Sequence, residues 1–353
     1  MSTEQVAVAM SGGVDSSLAA ALLKQAGYDV FGVTMQIWLS AEAAFGGGCG
    51  LEAVEDAKRV AYKLGIPHYV VDFRDIFSRL VITNFCQEYS LGRTPNPCIR
   101  CNQYIKFGAL LEKIKGCADF LATGHYARVG CSANAYHLLK AVDISQDQSY
   151  FLYTLGQGQL RHLLFPLGEL SKEEVRRLAT ELGLPTSGKR SSQDICFIPD
   201  NDYRPFITEH IPLKAGEVVD ITGKALGKHS GLARYTVGQR HGLGITSSKP
   251  LYVLRLDAEN NRLVVGTRAQ LLSRGLIATK LSWVAGEGAK EPIKIKAKVR
   301  YKAPEVVAEL HLSDGKAEVR FSQPQPAIAP GQSVVFYQGD IVLGGGVIDA
   351  VLY

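Results

Sequence analysis

The 353-residue chain contains no apolar run of the ~18–20 residues a membrane span needs, and no low-complexity tract. A helical membrane protein and a disordered scaffold are thereby excluded. Strong charge of one sign is also missing. The 39 Lys and Arg against 34 Asp and Glu leave +5, compatible with a nucleic-acid partner yet common among enzymes that bind none. Seven cysteines (49, 86, 98, 101, 117, 131 and 196) are too few and too irregular for a secreted disulfide framework. No basic leader with a long apolar stretch precedes Val6–Met10, which already reads as a buried strand, so a cytoplasmic protein beginning near Met1 is expected. No internal repeat is evident. What is present is ordinary globular material, 46% apolar and 21% charged, at a length that calls for two or three domains.

Up to about residue 195, strand and helix signals alternate. Val6–Met10, Tyr28–Met35, Pro67–Phe73 and Phe120–Gly124 read as strands. Ser16–Ala26, Leu51–Leu64 and Phe107–Ile114 read as helices, and Ser171-Lys-Glu-Glu174 is a capping box opening another. Such βαβ alternation predicts an α/β fold with a doubly wound parallel sheet. Past Pro199, short apolar segments alternate with turn signals at Thr222-Gly223, Asn260-Asn261, Ser313-Asp314-Gly315 and Gln338-Gly339-Asp340. The expected division is 1–199 for the α/β domain, 200–270 for a small mixed domain and 271–353 for a β-barrel-like domain.

The strongest motif is Ser11-Gly12-Gly13-Val14-Asp15-Ser16, placed between the first strand and the first helix. Glycines let the backbone approach an anion, and the helix N-terminus adds unpaired N–H groups and partial positive charge. The Ser11 and Ser16 hydroxyls can donate to phosphate, and Asp15 can hold Mg²⁺. No Gly-Lys-[Ser/Thr] follows, so this is not a Walker A loop. It resembles the PP-loop of ATP pyrophosphatases, which cleave ATP between the α- and β-phosphates. Residues 9–16 (Ala9, Met10, Ser11, Gly12, Gly13, Val14, Asp15 and Ser16), with Met35 and Gly124 at the same strand edge, are the expected nucleotide site. That loop alone leaves amide-forming synthetases acting on small metabolites open.

Further motifs narrow the choice. In order they are Thr94-Pro95-Asn96-Pro97-Cys98-Ile99-Arg100-Cys101-Asn102, Ile105-Lys106-Phe107, Ala122-Thr123-Gly124-His125-Tyr126, Asp147-Gln148-Ser149-Tyr150-Phe151-Leu152 and Ser191-Ser192-Gln193-Asp194-Ile195-Cys196-Phe197-Ile198. Gly238-Gln239-Arg240-His241-Gly242-Leu243-Gly244 and Pro330-Gly331-Gln332-Ser333-Val334-Val335-Phe336-Tyr337 complete the set. Together they resemble the tRNA-specific 2-thiouridylase family along essentially the whole chain.

The resemblance implies that ATP adenylates the 2-oxygen of a wobble uridine and that sulfur then replaces it. It implies a persulfide on Cys196 and a nucleophile at Cys101. Only ionised sulfur attacks, so a cation, Arg100 or Lys106, is expected beside the thiols. It further implies tRNA contacts at Asn96, Pro97, Cys98, His125, Gln146, Asp147, Gln148, Arg300, Tyr301 and Gln332, and tRNAs for Lys, Glu and Gln as acceptors. A cysteine desulfurase, acting directly or through carrier proteins, would supply the sulfur. Many relatives have aspartate where this chain has Cys98, so the general-base role of that carboxylate does not carry over. Cys98, Cys101 and Cys196 could instead ligate a [4Fe-4S] cluster, as in related thiolation enzymes. A zinc site would want a second Cys pair or a His pair, and neither is evident. Cys49, Cys86, Cys117 and Cys131 read as ordinary structural residues.

Overall fold

The computed structural model describes residues 3–37, 51–189, 195–288 and 292–353. The N-terminal part contributes strands β1 (Gln5–Ala9), β2 (Asp29–Gln36), β3 (His68–Asp72), β4 (Phe120–Thr123), β5 (Ala127–Ser132), β6 (Ala135–Lys140) and β7 (Leu163–Leu164). Five of them form an all-parallel sheet in the order β3-β2-β1-β4-β7. Alternate residues of β1 serve opposite cores: Val6, Val8 and Met10 join one apolar cluster, Ala7 the other. This two-sided burial produces the unbroken apolar run read in the sequence. The chain leaves β1 toward β2 on one side and reaches β4 on the other, so the carboxyl ends of β1 and β4 border the crevice where such sheets bind ligands.

Helix α1 (Val14–Gln25) follows β1 directly, and α2 (Leu51–Leu64) precedes β3. Helix α3 (Lys172–Glu181) begins at the expected box: Ser171 Oγ accepts from Glu174 N at 3.2 Å, and Glu174 Oε2 accepts from Ser171 N at 2.7 Å. Between β3 and β4 the chain is more helical than expected. Arg74–Phe77, the π-helical turn Ser78–Ile82 and Thr83–Ser90 run end to end, then Pro97–Arg100, the π-helical stretch Cys101–Leu110 and Leu111–Ile114. The apolar spacing of Phe77, Val81 and Phe85 is the signal for the first of these rods.

The middle region forms a four-stranded sheet from β8 (Gly216–Val219), β9 (Ala225–His229), β10 (Tyr252–Asp257) and β11 (Arg262–Gly266), with Val218, Val253, Leu263 and Val265 in its small core. The last region contains β12 (Leu272–Trp283), β13 (Ile293–Lys298), β14 (Val306–Ser313), β15 (Lys316–Pro326), β16 (Ser333–Gln338) and β17 (Ile341–Leu352). They pair in the order β12-β15-β14-β13-β16-β17, and β12 also pairs with β17, closing a six-stranded antiparallel barrel. The turn signals mark real reversals: Asn261, Asp314, Gly315 and Gly339 all have positive φ.

One feature was not legible. The β5–β6 hairpin belongs in sequence to the first region, yet β6 pairs with β17 through Leu139–Ile341 and Leu138–Val342, extending the barrel sheet. Its two-residue turn, Ala133-Asn134, has positive φ at both positions, and the asparagine is the one local cue. Among the described residues no helix is long and apolar enough to cross a membrane.

Candidate active site

The turn from β1 into α1 reads as an anion cradle because its backbone conformation excludes most side chains. Gly12 has φ +70°, and a Cβ there would lie 2.4 Å from the Ala53 carbonyl oxygen. Gly13 is the helix N-cap, without a side-chain cap among the described residues. Ser11 N donates to Ser16 Oγ at 3.1 Å, the two hydroxyls lie 3.3 Å apart, and Ser17 Oγ donates to Gly13 O at 2.8 Å. Across the crevice, Gly124 at the end of β4 comes so close to the first turn of α1 that a Cβ would sit 2.6 Å from Ser16 N. Gly12 thus lets the loop pack against α2, and Gly124 lets the end of β4 pack against the first turn of α1.

Asp15 is the acidic residue of that turn, and its Oδ1 is already engaged. Tyr126 Oη donates to it at 2.8 Å and the Lys172 ammonium pairs with the same oxygen. Lys172 also stands 5.2 Å from the centre of the Tyr126 ring. Burial, and then the Asp15 charge, push the Tyr126 phenol above its usual range, so it stays a donor.

Beside this turn opens a cavity of about 300 Å³. Of the expected nucleotide residues, Ser11, Asp15 and Met35 line it. Gly12, Gly13, Ser16 and Gly124 build the turn behind them. Met10 and Val14 are each 2% exposed and belong to the core, and Ala9 closes β1, so these three support the loop rather than face the cavity. The opposite wall carries sulfur. Asn96 Oδ1 accepts from Ile99 N at 3.3 Å and Pro97 occupies the first turn, a helix start that places Cys98 and Cys101 one turn apart on one face. Cys196 reaches the same cavity because Phe197 beside it is locked in the core, in edge contact with Phe77 and Phe85 at 5.7 and 5.4 Å. The Ser191–Asp194 part of that motif lies outside the described residues, as does Cys49. Cys86 is buried, which pushes its thiol up, while Cys117 and Cys131 are exposed and away from this cavity.

The two candidate cations separate. Lys106 lines the cavity, whereas Arg100 Nη1 donates to Gln103 Oε1 and Tyr104 Oη, each at 3.3 Å, away from the thiols. Lys106, Lys172 and Lys302 face Asp15 as the one carboxylate of the described lining. The cavity is therefore electropositive, suited to phosphates and thiolates. His125 adds no charge at neutral pH. Burial, and then Lys106, hold it well below the usual imidazole range, and its Nδ1 shares a 2.6 Å hydrogen bond with Thr123 Oγ1.

Pro97, Cys98, His125, Gln146, Gln148 and Tyr301 also line the cavity, and the other four expected RNA contacts lie outside its lining, with hydrogen-bond partners within the chain. Asn96 is the helix cap. Asp147 is 4% exposed and accepts from Ala141 N, Ser149 N and Ser149 Oγ at 3.0, 3.2 and 2.8 Å. The Arg300 guanidinium donates to Ala327 O, and Gln332 Nε2 donates to Thr94 O at 3.0 Å, bracing the barrel against the segment before the cysteines. Sequence reasoning missed Lys172, Asn102 and Lys302. Lys172 stood next to a recognised cap and Lys302 next to the Arg300-Tyr301 pair, but nothing local says that either reaches this cavity.

The three thiols share the cavity, yet among the described residues no three His, Cys, Asp or Glu side chains converge closely enough to hold a metal ion.

Residues 4–200 match the tRNA methyl transferase HUP domain, 204–267 the tRNA methyl transferase PRC-barrel domain and 273–348 the aminomethyltransferase beta-barrel domain. The tRNA-specific 2-thiouridylase MnmA of Acetivibrio thermocellus is 51% identical over 358 residues, covering 99% of this chain and 100% of its own. Those of Geotalea uraniireducens and Heliobacterium modesticaldum are each 52% identical, covering 98% of this chain and 95% and 92% of theirs. A solved 4-thiouridine synthetase–RNA complex with bound ATP aligns at a TM-score of 0.33 and 18% identity over 59% of this chain and 50% of its own, too slight a likeness to argue from. At this level of identity over nearly its full length, the chain belongs to the tRNA-specific 2-thiouridylase family.

Proposed function

We propose that this tRNA sulfurtransferase performs both halves of wobble-uridine 2-thiolation in the cavity between the β1–α1 turn and the cysteine-bearing helix. The observation that carries the reading is that nucleotide-loop residues Ser11 and Asp15 and all three thiols, Cys98, Cys101 and Cys196, line one cavity. An amide-forming synthetase acting on a small metabolite, the other reading open to the loop alone, gives those thiols no task.

In the first half, the uridine 2-oxygen attacks the α-phosphorus of ATP, pyrophosphate leaves and C2 carries an AMP leaving group. The Gly12–Gly13 turn and the α1 N-terminus hold the phosphates, with Lys172 released from Asp15 as their counter-charge. Asp15 would hold Mg²⁺, which neutralises charge on the departing pyrophosphate. In the second half, the Cys101 thiolate attacks the inner sulfur of a Cys196 persulfide. A Cys101–Cys196 disulfide forms, the terminal sulfur leaves as hydrosulfide and adds to C2, and AMP departs. A reductant then restores both thiols. Lys106 favours the ionised sulfurs.

The target uridine must leave the anticodon stack to enter, and Tyr301, whose ring centre lies 4.4 Å from that of Phe151, offers it an aromatic face. We assign catalysis to 1–199 and the grip on the anticodon arm to 200–270 and 271–353, with tRNAs for Lys, Glu and Gln as substrates. The persulfide comes from a cysteine desulfurase or a carrier it loads, in the cytoplasm. Product analysis tests the first half: tRNA-dependent turnover yields AMP and pyrophosphate, and ADP with phosphate would refute it.

A further inference from the structure

Asn102 brings an unused hydrogen-bond acceptor to the reacting base. It follows Cys101 in the chain and lies four residues after Cys98, so it shares the cysteines' side of the helix and lines the same cavity. The residue is 3% exposed. Its Nδ2 donates to the Phe151 carbonyl oxygen at 3.1 Å, and this fixes the amide, because the flipped orientation would set two oxygens against each other. Its Oδ1 is buried, and among the described residues nothing donates to it. Buried carbonyl oxygens are nearly always satisfied, so one left open beside reactive thiols calls for a donor from the ligand.

The chemistry of the base supplies that donor. Thiolation occurs at C2 of uracil, whose ring neighbours are N1, occupied by the sugar, and N3, which carries the ring's one N–H donor. A uracil that turns C2 toward Cys98 and Cys101 presents N3–H to the adjoining wall. Cytosine has the same C2 carbonyl but a lone pair at N3, and would set an acceptor against an acceptor. We propose that Asn102 is a specificity-determining residue that accepts a hydrogen bond from N3–H of the target uridine and thereby rejects cytosine.

This inference rests on the 2-thiolation reading, and its test separates the two. Full-length chain, wild type or Asn102→Ala, is given ATP, a persulfide source and tRNA carrying uridine, 3-deazauridine or cytidine at the wobble position. 3-Deazauridine keeps the ring shape and the C2 carbonyl but has C–H in place of N3–H. Wild type should prefer uridine over 3-deazauridine by about tenfold or more in kcat/KM, and Asn102→Ala should reduce that preference to about twofold. Asn102→Asp keeps an acceptor and should retain the preference, which separates acceptor loss from the loss of the Phe151 contact. A merely structural role would lower both rates together and leave the ratio unchanged, and that result would overturn the inference. So would an unchanged ratio with a raised KM for ATP, since the acceptor would then serve the adenine amine. No 2-thiouridine from wild type on the natural base would instead refute the thiolation reading itself.

Discussion

The two walls of the cavity are assembled in opposite ways. The nucleotide edge is made almost entirely from residues contiguous in the chain, a strand end, two glycines and a helix start within residues 9–16, closed by Gly124 from the adjacent strand. The sulfur wall gathers Cys98, Cys101 and Lys106 from one helix, Cys196 from almost a hundred residues further on, and Tyr301 and Lys302 from the barrel. Its helix is braced from behind by the barrel: Thr94 N donates to Pro330 O at 2.8 Å, and the Arg93 guanidinium pairs with Glu88 and Asp349 at 2.7 and 3.1 Å. A local motif can bind ATP on almost any parallel sheet. The cysteine-bearing wall draws on segments from across the whole chain.

That contrast predicts separable failures. The largest effects belong to the thiols: Cys101→Ser and Cys196→Ser should each abolish 2-thiouridine, by at least ~10³-fold, while pyrophosphate release persists. Cys98→Ser sharpens the picture, since a relay through Cys101 and Cys196 predicts weakened but measurable thiolation by colourless protein. Loss of activity together with a ~400 nm absorbance would instead mark a cluster ligand. On the other wall, Asp15→Ala should remove pyrophosphate release by ~10²-fold or more and leave tRNA binding largely intact in a filter assay. Should adenylation fail equally in the cysteine and Asp15 variants, the two walls would not be separable.

Effects on stability should be smaller. Gly12→Ala forces a side chain into a positive-φ position against the Ala53 carbonyl and should cost about 1–3 kcal/mol in denaturant unfolding. Arg93→Ala leaves Glu88, 11% exposed, with only Lys280 at 3.9 Å among the described residues and should cost about 1.5–3 kcal/mol, with thiolation falling more than adenylation.

These differences also explain what could be read from the chain. The PP-loop, the α3 capping box and the Asp314-Gly315 turn were legible because each is decided by dihedral preferences over a few residues. The tRNA contacts at Asn96, Asp147, Arg300 and Gln332 come from the family resemblance and not from any local pattern. Their partners, Ile99 N, Ala141 N, Ala327 O and Thr94 O, come partly from distant segments that no local pattern reveals. Lys172 went unnoticed for the same reason. Its task is set by Asp15, which lies 157 positions away.

The smallest expected effect is a dependence on pH. Burial holds His68, His125 and His229 below the usual imidazole range, so the unfolded chain binds protons that the native one refuses. Stability should therefore decline as pH falls below about 6.5. A thermal midpoint that rises between pH 7.5 and 5.5 would contradict this.

Whether one cavity joins adenylation to a two-cysteine sulfur transfer is decided by a single turnover without reductant. Protein loaded with persulfide and mixed with ATP and tRNA should give equal amounts of 2-thiouridine, AMP and pyrophosphate. Peptide mapping should recover a Cys101–Cys196 disulfide in the same amount. Stoichiometric 2-thiouridine with both thiols still reduced would contradict the two-cysteine transfer.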